Sequence, residues 1–126
     1  MLAVKTYPAD YIGSCSDRFG ALLEAYSGSD DFEPLFCDHA VLALDHYFVH
    51  RQRGMEGKDG NPANEVRLLA ESIAENGGVL REDKQIKLKP DTSVLGLAPG
   101  DQIRLTVADV RRLADAYFVE IGKRFG

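Results

Sequence analysis

Phe32-Glu33-Pro34-Leu35-Phe36-Cys37-Asp38-His39-Ala40-Val41-Leu42-Ala43-Leu44-Asp45-His46-Tyr47-Phe48-Val49-His50-Arg51 is the most apolar stretch of the chain. At about 100° per residue its apolar side chains, from Phe32 and Leu35 through Tyr47, Phe48 and Val49, cover most of a helical circumference. A helix apolar nearly all round is a buried, central one. Asp30 and Asp31 stand at the positive end of its dipole, and Pro34 is tolerated only in a first turn. Asp38, Asp45 and Gln52, seven apart, form its one polar strip. All three histidines, His39, His46 and His50, lie in this stretch and share one side of it.

Other helices are expected to pack against this one. Ile12, Cys15, Phe19, Leu22 and Tyr26 recur at spacings of three and four, predicting a helix from Pro8 to Tyr26. Gly13 and Gly20 inside it imply either close approach of another helix or a break near Gly13. Residues 51–61 hold three glycines and read as a loop. Asn61 is the expected N-cap of a third helix that begins at Pro62, carries Val66, Leu69 and Ile73 on one side, and ends at Asn76-Gly77-Gly78. Gln85-Ile86-Lys87-Leu88-Lys89 and Gln102-Ile103-Arg104-Leu105 alternate polar with apolar, predicting a small β-hairpin. Thr106 and Asp109 form a capping-box pattern for a last helix with Val107, Val110, Leu113, Ala114, Tyr117, Phe118 and Ile121 on its core side. The fold class expected is therefore mainly α. About four helices surround the buried second one, with a hairpin before the C-terminal helix, in a single helical domain over residues 1–126.

Composition narrows the function classes. A chain of 126 residues with 44% hydrophobic content suits one compact core. Its net charge of −5 repels polyanions, so nucleic acid is not an expected partner. The opening MLAVKTYPADY has no long apolar run of a secretory leader, and no segment approaches the length of a membrane span. Cys15 and Cys37 lie in apolar-periodic segments without metal spacing and read as buried thiols. A soluble cytoplasmic protein is expected.

His46 and His50, four apart on one helix, can converge on a divalent metal as neutral imidazoles. His39 lies about 10 Å along the axis from His46 and falls outside such a pair. Further ligands would come from elsewhere, with Glu65, Asp115 and Glu120 available. Tyr47 stands where the His-Glu-x-x-His zinc peptidases place their glutamate. Two other readings remain open: histidines hydrogen-bonded at the core boundary, and a cleft in which His46 or His50 binds ligand or moves a proton. The loop that follows offers Arg51, Arg53 and Lys58, which with His50 make a candidate site for a small anionic ligand beside a helix N-terminus. The competing readings are a solvated connection, and arginines that neutralise the negative end of the second helix. Glu65, Arg67 and Glu71 read as surface ion pairs.

Leu95-Gly96-Leu97-Ala98-Pro99-Gly100-Asp101-Gln102-Ile103-Arg104-Leu105 resembles the LGL-x-PGD hairpin of AbrB-like swapped-hairpin transcription factors, over about eleven residues. The resemblance implies DNA binding through a basic strand preceding the hairpin. Here Arg81-Glu82-Asp83-Lys84 has balanced charge in that place.

Three classes of function follow: a non-catalytic binding or assembly module, a helical-bundle metal protein using His46 and His50, and a small enzyme acting on an anionic metabolite with His50 as acid or base. Unpartnered amphipathic stripes and a marginal hairpin predict a homodimer.

Overall fold

A computed structural model describes residues 3–126; Met1 and Leu2, the first residues of the stretch read above for a leader, lie outside them. Helix makes up 55% of the structure, and no sheet forms among the described residues, so the class is mainly α. The helices are α1 (Ala9–Glu24), α2 (Phe32–His46), α3 (Arg53–Glu56), α4 (Pro62–Glu75) and α5 (Val107–Phe125). None is long and apolar enough to cross a membrane.

The ends of the helices follow the capping signals. Asn61 accepts from the N–H groups of Ala63 (2.8 Å) and Asn64 (3.3 Å), and Pro62 opens α4 behind it. Thr106 and Asp109 exchange reciprocal bonds of 3.0 and 3.1 Å at the start of α5. Glu33 reaches across from α2 to accept from the Val107 N–H at 2.8 Å, a carboxylate at the positive end of α5. Gly77 and Gly78, both at positive φ, turn the chain out of α4. α1 runs unbroken through Gly13 and Gly20. A Cβ at either glycine would meet nothing within 4 Å, so no helix approaches closely there.

The centre of the bundle differs from expectation. α5 packs against each of the other four helices. α2 buries Cys37, Ala40, Val41 and Leu44 against α4 and α5, and leaves Phe32 and Leu35 46% and 55% exposed. α4, which reads as one-sided, is buried over most of its surface, including the polar Asn64, Glu65 and Ser72. These three hold neighbouring segments in place through hydrogen bonds, which a hydropathy pattern does not register.

The expected hairpin is absent. Asp83 Oδ1 accepts from the N–H groups of Gln85 (2.8 Å) and Ile86 (3.0 Å) and bends the chain where the first strand should begin. Lys87 then donates its N–H to Lys58 O (2.9 Å) in the loop before α4, not to residues 102–105. Residues 100–103 pair instead with 78–80 around one antiparallel bridge, Val79 with Gln102. Its bonds run from Leu80 N–H to Asp101 O, Gly100 N–H to Leu80 O and Ile103 N–H to Gly78 O, at 2.8–2.9 Å.

Candidate functional site

α2 stops at His46, and the chain continues to Arg51 in tighter turns. Phe48 donates to Asp45 O and Val49 to His46 O, each at 3.2 Å, and Arg51 donates to Phe48 O at 3.0 Å. These are three-residue bonds, which turn the chain by about 120° per residue rather than 100°. The predicted continuous helix to Arg51 is thus replaced over its last turn. The N-terminal segment selects this ending: Val4 donates to His50 O (2.7 Å) and accepts from the Gln52 N–H (2.8 Å), a parallel bridge across the turn.

His46 and His50 are both exposed and line one cleft of about 280 Å³ with Val4, Tyr7, Tyr11, Tyr47 and Val49. Tyr7 and Tyr11 stack with ring centres 5.8 Å apart, and both meet the buried Phe48 edge-on. The Tyr11 hydroxyl donates to Tyr47 O at 2.6 Å. Burial and the neighbouring Cys15 push the Tyr11 phenol up to about 12, so it stays a hydrogen-bond donor at ordinary pH. His39 is apart from this cleft, its Nδ1 3.0 Å from Leu35 O in its own helix. Among the described residues no three His, Cys, Asp or Glu side chains converge as a metal-ligand set, and neither Glu65, Asp115 nor Glu120 lines the cleft.

The cations of the following loop separate. Arg51 turns inward and is 3% exposed. Its Nε donates to Glu56 Oε1 (2.7 Å), Nη1 to Phe48 O (3.0 Å), and Nη2 to Asp45 Oδ1 (2.9 Å) and Ala63 O (3.2 Å). The carbonyl it meets at this end, Phe48 O, belongs to the turn after α2, and Arg53, the other arginine of that reading, is exposed. The Arg51 guanidinium also lies 5.5 Å from the centre of the Tyr117 ring. Glu56, on a short helix inside the predicted loop, is 1% exposed and receives Arg67 Nη2 (2.6 Å) and Asn64 Nδ2 (2.7 Å) as well. Burial by itself raises the Glu56 pKa, but the bonds and charges of Arg67, Arg51 and Asn64 outweigh it and hold the carboxyl below its ordinary range. Arg53 and Lys58 stay exposed and line a water-sized hollow with Glu56, Arg67 and Asp83. His50, Arg51, Arg53 and Lys58 are accordingly not gathered around one open volume.

The surface ion pairs expected of α4 are mostly interior ties. Glu65, 3% exposed, accepts the N–H groups of Val94 (2.8 Å) and Leu95 (3.0 Å) and pins the loop beyond α4. Arg67 serves Glu56, and Glu71 pairs with Arg81 at 2.9 Å. Sequence reasoning missed Glu56, Asn64 and Arg67 as a unit. The available signal was an Arg–Glu–Asn–Arg set spaced across a glycine-rich turn, which has no periodicity to reveal it. The segment resembling the AbrB-like hairpin likewise forms turns and the single bridge rather than a hairpin. No protein-family model, no curated protein and no solved structure matches this chain.

Proposed function

We propose that this protein is a non-catalytic binding module whose ligand occupies the His46–His50 cleft. The observation that carries the reading is the shared placement of two exposed imidazoles and three tyrosine rings around one volume of about 280 Å³. That volume approaches the lower end of small-molecule sites. Such walls suit a flat molecule with an acidic or hydrogen-bond-accepting edge: the rings cover its faces and the imidazole N–H groups meet its edge. Arg51, Glu56 and Arg67 are committed to one another, which leaves the two imidazoles as the side chains of this region free to meet a ligand. A divalent metal is the second reading, favoured by the same two imidazoles on one cleft, with its remaining ligands supplied by solvent or by a second copy of the chain.

Isothermal titration of tag-free protein with a panel of aromatic carboxylates, inorganic phosphate and Zn²⁺ tests both. Saturable carboxylate binding that weakens at least tenfold in His46→Ala and in His50→Ala supports the first. Stoichiometric Zn²⁺ binding lost in both variants moves the site to the second. A flat response to every probe sinks the two together.

The same proposal places the module in a reducing cytoplasm, where the buried thiols of Cys15 and Cys37 persist unpaired, and pairs it with a second copy. The surface such pairing would cover is the start of α2, where Phe32 and Leu35 stand exposed beside Tyr26 and Phe36. Light scattering on the purified protein reads this directly. A monomer at high micromolar concentration removes the homodimer from the proposal and leaves the cleft untouched.

A further inference from the structure

A second cleft, of about 240 Å³, opens between α4 and the segment that failed to become a hairpin. Its apolar lining comes from Leu68 of α4, from Leu80, Ile86 and Leu88, and from Pro99 of the returning chain. The charged residues around it are unequally engaged. Arg81 is paired with Glu71 (2.9 Å) and Glu75 (3.5 Å), and Asp83 is turned to the N–H groups of Gln85 and Ile86. Lys87 and Lys89, both exposed, have no carboxylate within ion-pair distance among the described residues, and Glu82 is the one acidic residue of the lining equally free. The N–H groups of Leu88 and Lys89 make no hydrogen bond within the described chain, whereas Lys87 donates to Lys58 O. Two uncommitted ammonium groups beside an apolar floor are complementary to a molecule that is apolar at one end and anionic at the other. They stand out in a chain whose net charge is −5.

We propose that this cleft binds a small amphipathic carboxylate, its hydrocarbon body on Leu68, Leu80 and Leu88 and its carboxylate at the Lys87–Lys89 wall. The physical division of labour is definite. The apolar body supplies most of the affinity by leaving water, and the anionic end selects orientation through charge-assisted hydrogen bonds. The proposal is independent of the His46–His50 cleft, with which it shares no lining residue.

The test uses octanoate as probe and 1-octanol as its uncharged counterpart, followed by amide and methyl NMR shifts. Octanoate should bind saturably, with the largest shifts at the Leu68, Leu80 and Leu88 methyls and at the Leu88 and Lys89 amides, and more tightly than octanol. The exposed double variant Lys87→Glu/Lys89→Glu should keep the wild-type spectrum elsewhere and lose octanoate affinity at least tenfold, with octanol affinity unchanged. Absence of octanoate binding overturns the proposal. So does equal binding of the two probes, or shifts confined to His46, His50 and their neighbours.

Discussion

Glu56 shows how much a single buried side chain holds in this protein. Its two carboxylate oxygens join Arg51, Arg67 and Asn64, so that one residue ties the end of α2, the short α3 and the first turns of α4. Arg124 of α5 adds a bond from Nη1 to the Glu56 carbonyl at 3.0 Å. Replacing the carboxylate with an amide leaves the Arg67 guanidinium without a carboxylate and Arg51 with Asp45 alone. Glu56→Gln should therefore cost about 3–5 kcal/mol at neutral pH, measured by urea unfolding. The pH dependence has a definite sign. The folded pKa is lowered, so the contribution of Glu56 is complete above its ordinary value of 4.5 and is lost as the pH falls through the folded value. The stability gap between wild type and Glu56→Gln should narrow as the solution is acidified below that point. A gap that stays constant or widens would mean that the charge is not what Glu56 contributes. Glu65 has the opposite sign: burial raises its pKa despite the two N–H groups it accepts, so ionising it weighs against folding as the pH rises.

Among the elements, α1 and the 79–105 segment teach contrasting lessons. Gly13 and Gly20 lie within a regular helix with nothing near a would-be Cβ. Neither closeness nor a special backbone angle explains them, and alanine fits both places. Gly13→Ala and Gly20→Ala should each stabilise the fold by about 0.5–1 kcal/mol, seen as a higher urea midpoint at unchanged slope. A loss of stability in either would show that its helix face meets something the isolated chain lacks. In the 79–105 segment the alternation of Gln85–Lys89 is genuine: Ile86 and Leu88 do turn inward while Gln85, Lys87 and Lys89 are exposed. What alternation does not choose is the pairing partner. Asp83 makes a turn before a ladder can start, and the Lys58–Gly60 loop takes the Lys87 N–H; a Cβ at Gly60 would collide with the Lys87 carbonyl. Only a glycine lets that loop approach so closely.

Taken whole, the molecule is organised around Phe48. It is completely buried and touches Tyr7, Tyr11, Tyr47, Tyr117 and Phe118 edge-on. These rings come from the N-terminal segment, α1, the turn after α2, and α5, so one side chain joins core to cleft. Phe48→Ala should cost about 3–5 kcal/mol in unfolding free energy. It should also weaken binding at His46 and His50 in whatever fraction remains folded, because Tyr7 and Tyr11 lose the face they rest on. Calorimetric unfolding together with ligand titration separates the two effects. Unchanged affinity in the folded fraction would show that the cleft walls are set independently of the core.

Periodicity and capping chemistry were enough to determine the mainly α class and the extents of α1, α4 and α5 to within a few residues. Those signals are local: Asn61 caps α4 and Thr106 caps α5 through bonds to residues two or three positions on. Tertiary contact decided the rest. Val4, far from the loop in sequence, selects how α2 ends. Glu56 and Asp45 hold Arg51 inward. Lys58 and Asp83 divert the strand. In each case a hydrogen bond between distant residues outweighs a local preference, and no spacing along the chain records which distant partner a polar side chain will find.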